Sequence, residues 1–202
     1  MTCTTHLLYL HGFRSSPQSA KARQVSERVT RHHPAVRWWC PQLPPSPGAA
    51  SALIREGVAN WPRDTMAVVG SSLGGFYARW LSLQVGCRAA LLNPAVHPAR
   101  DLSAHIGEQT TWQNPEERFF FEPGFVDELR VLEADIASQA SATPASADRL
   151  FAILAKGDEL LDWREMQDFC AGGQVRLLEG SDHALSDFDQ HIDALFDFLS
   201  LV

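Results

Sequence analysis

The sequence predicts an α/β fold in which a parallel sheet of about six strands carries helices on both faces. Six short apolar segments alternate along the 202 residues with longer segments that suit helices. The short segments are largely apolar throughout, rather than at every second position, which is typical of strands that are covered on both faces. Strands that alternate with helices form parallel sheets, so both observations point to the same architecture.

The predicted elements begin and end at residues with a local reason to do so. Strands are predicted over 6–10, 36–40, 66–69, 88–92, 150–155 and 174–178. Helices are predicted over about 18–32, 49–60, 73–85, 126–136 and 186–199. Pro17 suits the start of the first helix, Pro41 ends the second strand, and Gly86 follows the end of the third helix. The last helix has apolar residues at helical spacing, as expected of a helix packed on a sheet.

A long segment between the fourth and fifth strands interrupts this rhythm. It spans residues 95–149 and ends in a stretch rich in serine and alanine over 138–148. It also contains an aromatic cluster formed by Trp112, Phe119, Phe120, Phe121 and Phe125. We interpret it as a small cap inserted into a single domain of residues 1–202, and we expect 138–148 to be a mobile linker.

Composition and charge exclude several classes of protein. Apolar residues make up 45% of the chain and charged residues 20%, which is typical of a globular protein. The 17 Lys and Arg against 24 Asp and Glu give a net charge of −7 without a basic run, so no nucleic-acid partner is expected. No apolar run reaches the roughly 18 to 20 residues that cross a bilayer, so no membrane partner is expected either.

The first residues and the cysteines predict a cytoplasmic protein. Residues 1–10 have neither a basic start nor a small-residue cleavage site, unlike a secretory signal. Cys3, Cys40, Cys87 and Cys170 lie far apart and form no C-x-x-C pair, which favours free, buried thiols in a reducing compartment. Their spacing does not suggest a metal site.

The clearest chemical signal is a G-x-S-x-G motif formed by Gly70, Ser72 and Gly74. It lies where the third strand meets the next helix, and a nucleophilic serine at a sharp strand-to-helix turn has this setting. The glycines leave room where a Cβ would clash, and the helix directs its first amides toward a developing oxyanion. Ser72 is therefore the predicted nucleophile, although a tight turn packed with small residues would give the same pattern.

A serine hydroxyl needs a base, and the sequence offers His183. His183 follows the sixth strand while Asp158 and Asp162 follow the fifth, and the carboxyl ends of parallel strands meet at one edge of a sheet. The order serine, acid, histidine is the order that accompanies this motif. Asp158 is the preferred acid because it directly follows the strand and a glycine. Asp162 is the alternative, since it could instead cap the next helix.

The first strand ends in His11-Gly12-Phe13, which predicts half of an oxyanion hole. Such a hole takes one amide from the residue after the nucleophile and one from the loop after this strand, so the N–H groups of Leu73 and Phe13 are the predicted donors. His11 is interpreted as holding the loop rather than taking part in chemistry. Residues 14–16 either line the mouth of the site or form a plain polar turn.

Taken in order, His11-Gly12, the G-x-S-x-G motif, Asp158 and His183 resemble an α/β-hydrolase. More narrowly, the YqiA/YcfP-like family of bacterial serine esterases is similar in the blocks LYLHGFRSSPQSAKA, GSSLGGFYARWL, LLNPAVHPARDL, GDELLD and GSDHAL. The resemblance spans nearly the whole chain. It implies a compact three-layer α/β-hydrolase fold that begins at the strand before the oxyanion loop. It also implies a cytoplasmic esterase or thioesterase in which Ser72, Asp158 and His183 form the triad.

The expected reaction is acyl transfer from an ester or thioester to water, through an acyl-enzyme on Ser72 and with no metal or organic cofactor. The expected partner is a small acyl substrate, and the oligomeric state stays open. The aromatic residues 119–121 either line the acyl site or pack their segment onto the sheet. Two alternative functions stay open because substrate class depends on pocket shape: a non-catalytic ligand-binding module, and a peptidase or amidase with the same triad.

Overall fold

A computed structural model describes residues 3–142 and 145–202, and its centre is a six-stranded parallel sheet between two layers of helices. The elements in chain order are β1 (His6–Leu10), α1 (Ala20–His32), β2 (Arg37–Trp39), α2 (Pro47–Gly57), β3 (Met66–Ser71), α3 (Leu73–Val85), β4 (Arg88–Leu92), α4 (Pro98–Leu102), β5 (Gly107–Thr110), β6 (Arg118–Phe121), α5 (Pro123–Ala142), β7 (Leu150–Ala155), α6 (Trp163–Phe169), β8 (Gln174–Leu178) and α7 (Ile192–Leu199). The strand order is β2-β1-β3-β4-β7-β8, with every neighbouring pair parallel. The predicted fold class is confirmed.

Successive residues of a central strand face opposite helix layers. Leu8 and Leu10 of β1 belong to the buried core shared with α2, α3, α5 and α6. Leu7 and Tyr9 belong to the core shared with α1 and α7. All four side chains are fully buried. Because both faces are covered, the central strands are apolar at every position, which is the pattern that predicted them.

The segment 95–149 contains α4, an antiparallel hairpin of β5 and β6, and α5. Helix α5 packs against α2, α3 and α4. Its carboxylates Glu128 and Glu133 accept hydrogen bonds from Gly48 N at 2.8 Å and Ala99 N at 2.9 Å, in the first turns of α2 and α4. Because a carboxylate is favourable at a helix N-terminus, these contacts fasten α5 into the helix layer.

The predicted linker over 138–148 is wrong in its first part. Helix α5 continues to Ala142, because the serine, alanine and glutamine residues of this stretch are compatible with a helix. Residues 143 and 144 of the predicted linker lie outside the described residues.

The last helix is shorter than the predicted 186–199. It begins at Ile192, after a 3-10 turn over Phe188–Gln190. Before that turn, Leu185 has a left-handed backbone conformation with φ of 50°. From there to His191, backbone N–H groups donate to carbonyl oxygens three residues earlier rather than four, so the chain reaches α7 through turns.

The structure bears on two sequence predictions, namely that the chain does not cross a membrane and that its cysteines are free and buried. None of the helices in the described residues combines the length and apolarity that a membrane crossing requires. All four cysteines are free, and Cys87 and Cys170 are buried as predicted. Cys40 is partly exposed and Cys3 is exposed, so the prediction of buried thiols is wrong for these two.

Candidate active site

Ser72 lies at the turn between β3 and α3 in a backbone conformation that few non-glycine residues adopt. Its φ is 56° and its ψ is −123°, a strained combination that the surrounding structure must hold in place. Its N–H donates to Leu92 O at 3.0 Å, and its carbonyl oxygen accepts from Gly75 N at 2.8 Å and Ala95 N at 3.0 Å. These backbone hydrogen bonds fix the turn and leave the hydroxyl group at the edge of the sheet.

Gly70 and Gly74 allow this turn to close. A Cβ atom at Gly70 would collide with the carbonyl oxygen of Gly74, and a Cβ atom at Gly74 would collide with that of Leu10 at the end of β1. Both obstacles are backbone atoms, which cannot move aside as the end of a flexible side chain can. The spacing of the motif therefore has a steric reason in this structure.

His183 bridges Ser72 and Asp158. Its Nε2 lies 3.0 Å from Ser72 Oγ, and its Nδ1 lies 2.7 Å from Asp158 Oδ2. The other oxygen of Asp158 accepts from Leu160 N at 2.9 Å and Leu161 N at 2.8 Å. Because an ionised carboxylate only accepts, Nδ1 carries the proton toward Asp158, and Nε2 is left to accept the Ser72 hydroxyl.

Burial differs sharply between His183 and Asp158. The Asp158 side chain is 0% exposed, whereas the His183 side chain is 18% exposed. The carboxylate is therefore shielded from water, which strengthens its hold on the imidazole. The imidazole itself can be reached from outside.

Asp162 has a different role in the structure. It is the N-cap of α6, and its Oδ1 accepts from Arg164 N at 2.9 Å. Of the two candidate acids, Asp158 is the one that contacts His183. Glu159 adds a contact that the sequence did not predict, because its Oε2 accepts from the backbone N–H of His183 at 3.0 Å.

The loop after β1 lies directly beside the serine. A Cβ atom at Gly12 would be only 3.1 Å from Ser72 Cβ. Leu73 is the first residue of α3, where helical amides have no partner within the helix. Within the described part of the chain, neither Phe13 N–H nor Leu73 N–H donates a hydrogen bond. Both predicted donors are therefore unoccupied.

His11 is buried and joins two loops. Its Nε2 accepts from Leu43 N at 3.0 Å, and its Nδ1 lies 3.0 Å from Gly12 O, so the proton is on Nδ1. Burial lowers the pKa of His11, which favours this neutral form. With both nitrogens engaged, His11 fastens the loop after β1 to the proline-rich loop over 41–46 and offers no free nitrogen for proton transfer.

The hairpin of β5 and β6 packs against Phe13 in the loop after β1. The ring of Phe13 lies edge-on to Phe121, with centroids 5.3 Å apart, and to Phe119, with centroids 6.0 Å apart. Phe121 is fully buried, whereas Phe120, on the opposite face of β6, is 54% exposed. Phe119 and Phe121 therefore support the backbone that carries a predicted oxyanion donor.

Arg14 and Ser15 contact neighbouring segments on both sides of their loop. Arg14 donates from Nε to Thr110 O at 2.7 Å, and its guanidinium lies 4.1 Å from the ring centre of Trp112. The carbonyl oxygen of Ser15 accepts from the Gln42 side chain at 3.2 Å. These contacts tie the loop to the hairpin on one side and to the proline-rich loop on the other.

Sequence reasoning missed two residues beside the histidine loop. Asn93, at the end of β4, is fully buried and reaches the backbone of His183. Lys21, in the first turn of α1, donates to the carbonyl oxygen of Ala184. Burial lowers the pKa of Lys21 to about 8, although Asp182 and Asp158 oppose the shift. The only sequence signal for Asn93 is a polar residue directly after an apolar strand.

The chain matches known proteins over nearly its full length. Residues 6–200 match the model of the uncharacterised protein family UPF0227. Mouse alpha/beta hydrolase domain-containing protein 10 is similar, with a TM-score of 0.68, 16% identity and coverage of 99% of this chain and 93% of that chain. A structure of the metagenome-derived lipolytic enzymes LipS and LipT is similar with a TM-score of 0.72 and 17% identity. The match covers 98% of this chain and 94% of that chain. Est1E from Butyrivibrio proteoclasticus, solved with ferulic acid bound, is similar with a TM-score of 0.67 and 13% identity. The match covers 98% of this chain and 87% of that chain. The α/β-hydrolase fold is thus confirmed.

Proposed function

Because the chain belongs to the uncharacterised protein family UPF0227 and has an α/β-hydrolase fold, we propose that it is a serine hydrolase that cleaves carboxylic esters or thioesters. The observation that carries the proposal is the hydrogen-bond chain from Ser72 through His183 to Asp158, with 3.0 and 2.7 Å between the paired atoms. Ser72 is the nucleophile, His183 the base, and Asp158 the acid that orients the imidazole and stabilises its charged form.

In the first half of the reaction, His183 Nε2 takes the hydroxyl proton as Ser72 Oγ attacks the carbonyl carbon of the substrate. The N–H groups of Phe13 and Leu73 donate to the oxyanion, and each such donor typically contributes about 3 kcal/mol to transition-state stabilisation. As the tetrahedral intermediate collapses, the bond to the leaving group breaks. An alcohol leaves with the proton from His183. A thiolate can depart before it is protonated and then takes the same proton, so His183 is neutral again in either case.

In the second half, water replaces the leaving group. His183 takes a proton from the water as its oxygen attacks the acyl-enzyme, and the same two amides hold the second oxyanion. Ser72 regains its proton from His183 when the carboxylic acid departs. Every step uses side chains and amides of this chain.

Esters and thioesters are the favoured substrates for two reasons. The metagenome-derived lipolytic enzymes LipS and LipT share this fold along 98% of the chain. In addition, an ester or thioester carries a better leaving group than an amide, so it places the smallest demand on the acid form of His183.

Parallel assays test the proposal. Purified protein is assayed on p-nitrophenyl esters of increasing acyl length, on acyl-CoA thioesters and on peptide p-nitroanilides. We expect ester or thioester turnover, with Ser72→Ala lowering kcat by at least about 10³-fold. Ser141→Ala, on the exposed end of α5, is the matched control and should retain wild-type turnover. Equal turnover by Ser72→Ala would refute the assignment, and a preference for peptides would favour a peptidase.

A further inference from the structure

We propose that Asn93 is a positioning residue that fixes the loop of His183 to the strand that leads to Asp158. The catalytic consequence rests on the function proposed above, whereas the structural claim concerns only where the imidazole lies. Asn93 does not contact the reacting atoms, so it acts through the backbone of its neighbours.

The side-chain amide of Asn93 bridges two loops that are distant in sequence. Its Nδ2 donates to the carbonyl oxygens of Asp182 at 3.0 Å and of His183 at 3.3 Å. Its Oδ1 accepts from Ala155 N at 2.8 Å, at the last residue of β7. One planar group therefore fixes the spacing between the histidine loop and the strand from which Asp158 follows three residues later.

Asparagine suits this position for two physical reasons. Its φ is 42°, and asparagine tolerates the left-handed region better than most residues. Its side chain is 0% exposed, so each polar atom needs a partner, and a primary amide supplies both donors and an acceptor. A hydrophobic residue of similar size would leave His183 O and Ala155 N without these partners, and Asp182 O would keep only the hydrogen bond from Leu185 N.

The neighbours of Asn93 extend the same framework to the serine. Leu92 O accepts from Ser72 N, and Ala95 N donates to Ser72 O, both at 3.0 Å. The four residues 92–95 therefore contact the backbone of Ser72, the backbone of His183 and the strand before Asp158. The end of β4 is thus the common support for three side chains that come from three other strands.

Lys21, in the first turn of α1, contacts the same loop. It donates to Ala184 O, so the carbonyl oxygens of three consecutive residues, 182 to 184, accept hydrogen bonds from the side chains of Asn93 and Lys21. The backbone of this loop cannot move away from Ser72 without losing these bonds. The neighbouring Ser181 and Leu185 have positive φ values of 67° and 50°, so the loop also depends on such bonds to keep its shape.

The test combines kinetics with a direct measurement of the imidazole. Asn93→Asp keeps the tolerance for positive φ and the acceptor for Ala155 N, but it loses both donors. Asn93→Gly keeps the backbone freedom and removes the whole amide, so it provides a second variant if the new carboxylate prevents folding. Asn60→Asp makes the same chemical change at an exposed position after α2 and serves as the control.

We expect kcat on esters to fall by about 10²-fold in either Asn93 variant, with KM nearly unchanged, because a small displacement of a catalytic group has this effect. The proton on His183 Nδ1, seen as a downfield NMR signal and assigned by its absence in His183→Ala, should broaden or vanish. Asn60→Asp should retain both the signal and the rate.

The possible outcomes separate the two proposals. A wild-type protein with no hydrolase activity, whose downfield signal is nevertheless lost in the Asn93 variants, would refute the proposed function and support the positioning role. Folded Asn93 variants that keep both the signal and kcat, whether or not they melt earlier, would overturn the positioning role.

Discussion

Ser72 Oγ and His183 Nε2 lie 3.0 Å apart although 111 positions separate them in the chain. Their strands, β3 and β8, are not neighbours, because β4 and β7 lie between them. The two residues meet because both strands end at the same edge of the parallel sheet and the loop after β8 folds back across β7 and β4. Asn93, directly after β4, donates hydrogen bonds to the backbone of that loop.

The two candidate acids should respond differently to substitution. Asp158→Asn cannot accept the Nδ1 proton as a carboxylate does, and we expect kcat to fall by about 10³ to 10⁴-fold. Asp162→Ala removes the N-cap of α6, so we expect about 1 kcal/mol lower stability and little change in kcat. Steady-state kinetics and urea denaturation measure the two effects. A larger kinetic loss in Asp162→Ala would assign the acid to Asp162.

Phe121 and Phe120 are adjacent in sequence but should differ in effect. Phe121→Ala removes a buried ring packed on Phe13, which typically costs about 3 to 5 kcal/mol and would loosen the loop after β1. Phe120→Ala removes a mostly exposed ring, and a change within about 0.5 kcal/mol is expected.

Substrate profiles separate support of the loop from contact with the acyl chain. Phe121→Ala should lower kcat for short and long acyl esters alike, because the buried ring acts through Phe13. A loss confined to long acyl chains would instead mean that Phe121 lines the acyl site.

The lowered pKa of Lys21 predicts that the free energy of unfolding depends on pH. Its pKa is lowered by burial from 10.5 to about 8. Below pH 8 the amine is protonated in both the folded and the unfolded chain, so this group adds no pH dependence. Between about pH 8 and 10.5 the unfolded chain binds more protons, so the free energy of unfolding rises with pH through this group.

Lys21→Met removes that contribution. The free energy of unfolding of the wild type minus that of Lys21→Met should therefore increase between about pH 7 and pH 10, as measured by urea denaturation. Lys156→Met is the natural control, since Lys156 pairs with the exposed Glu179 at 2.7 Å. A difference that stays constant over this range, or falls, would contradict the assigned environment of Lys21.

The strands and the candidate site could be predicted because their signals are local in sequence. The strand predicted over 66–69 is apolar, and the turn at Ser72 follows it directly. Asp158 and His183 could be chosen because each follows a later strand in a parallel sheet. The cap of α6 by Asp162 was an alternative in the sequence, and only the structure separates the two carboxylates.

The hairpin and the support from Asn93 could not be predicted because they depend on distant contacts. β5 has the sequence GEQT, which shows no apolar alternation, and its partner β6 is stabilised by packing on Phe13. Asn93-Pro94 looks like an ordinary turn until the loop after β8 is placed over it. The helical stretch 138–142 was missed for a different reason, since serine and alanine occur in linkers and helices alike.

Labelling with a fluorophosphonate probe is the sharpest test of whether Ser72 is a nucleophile activated by His183, because only an activated serine reacts. The adduct is mapped by mass spectrometry in the wild type, Ser72→Ala and His183→Ala, with folding of each checked by circular dichroism. We expect a single adduct on Ser72 that is absent from Ser72→Ala and strongly reduced in His183→Ala. A folded wild-type protein that stays unlabelled, or that is labelled at Ser72 equally well without His183, would contradict this expectation.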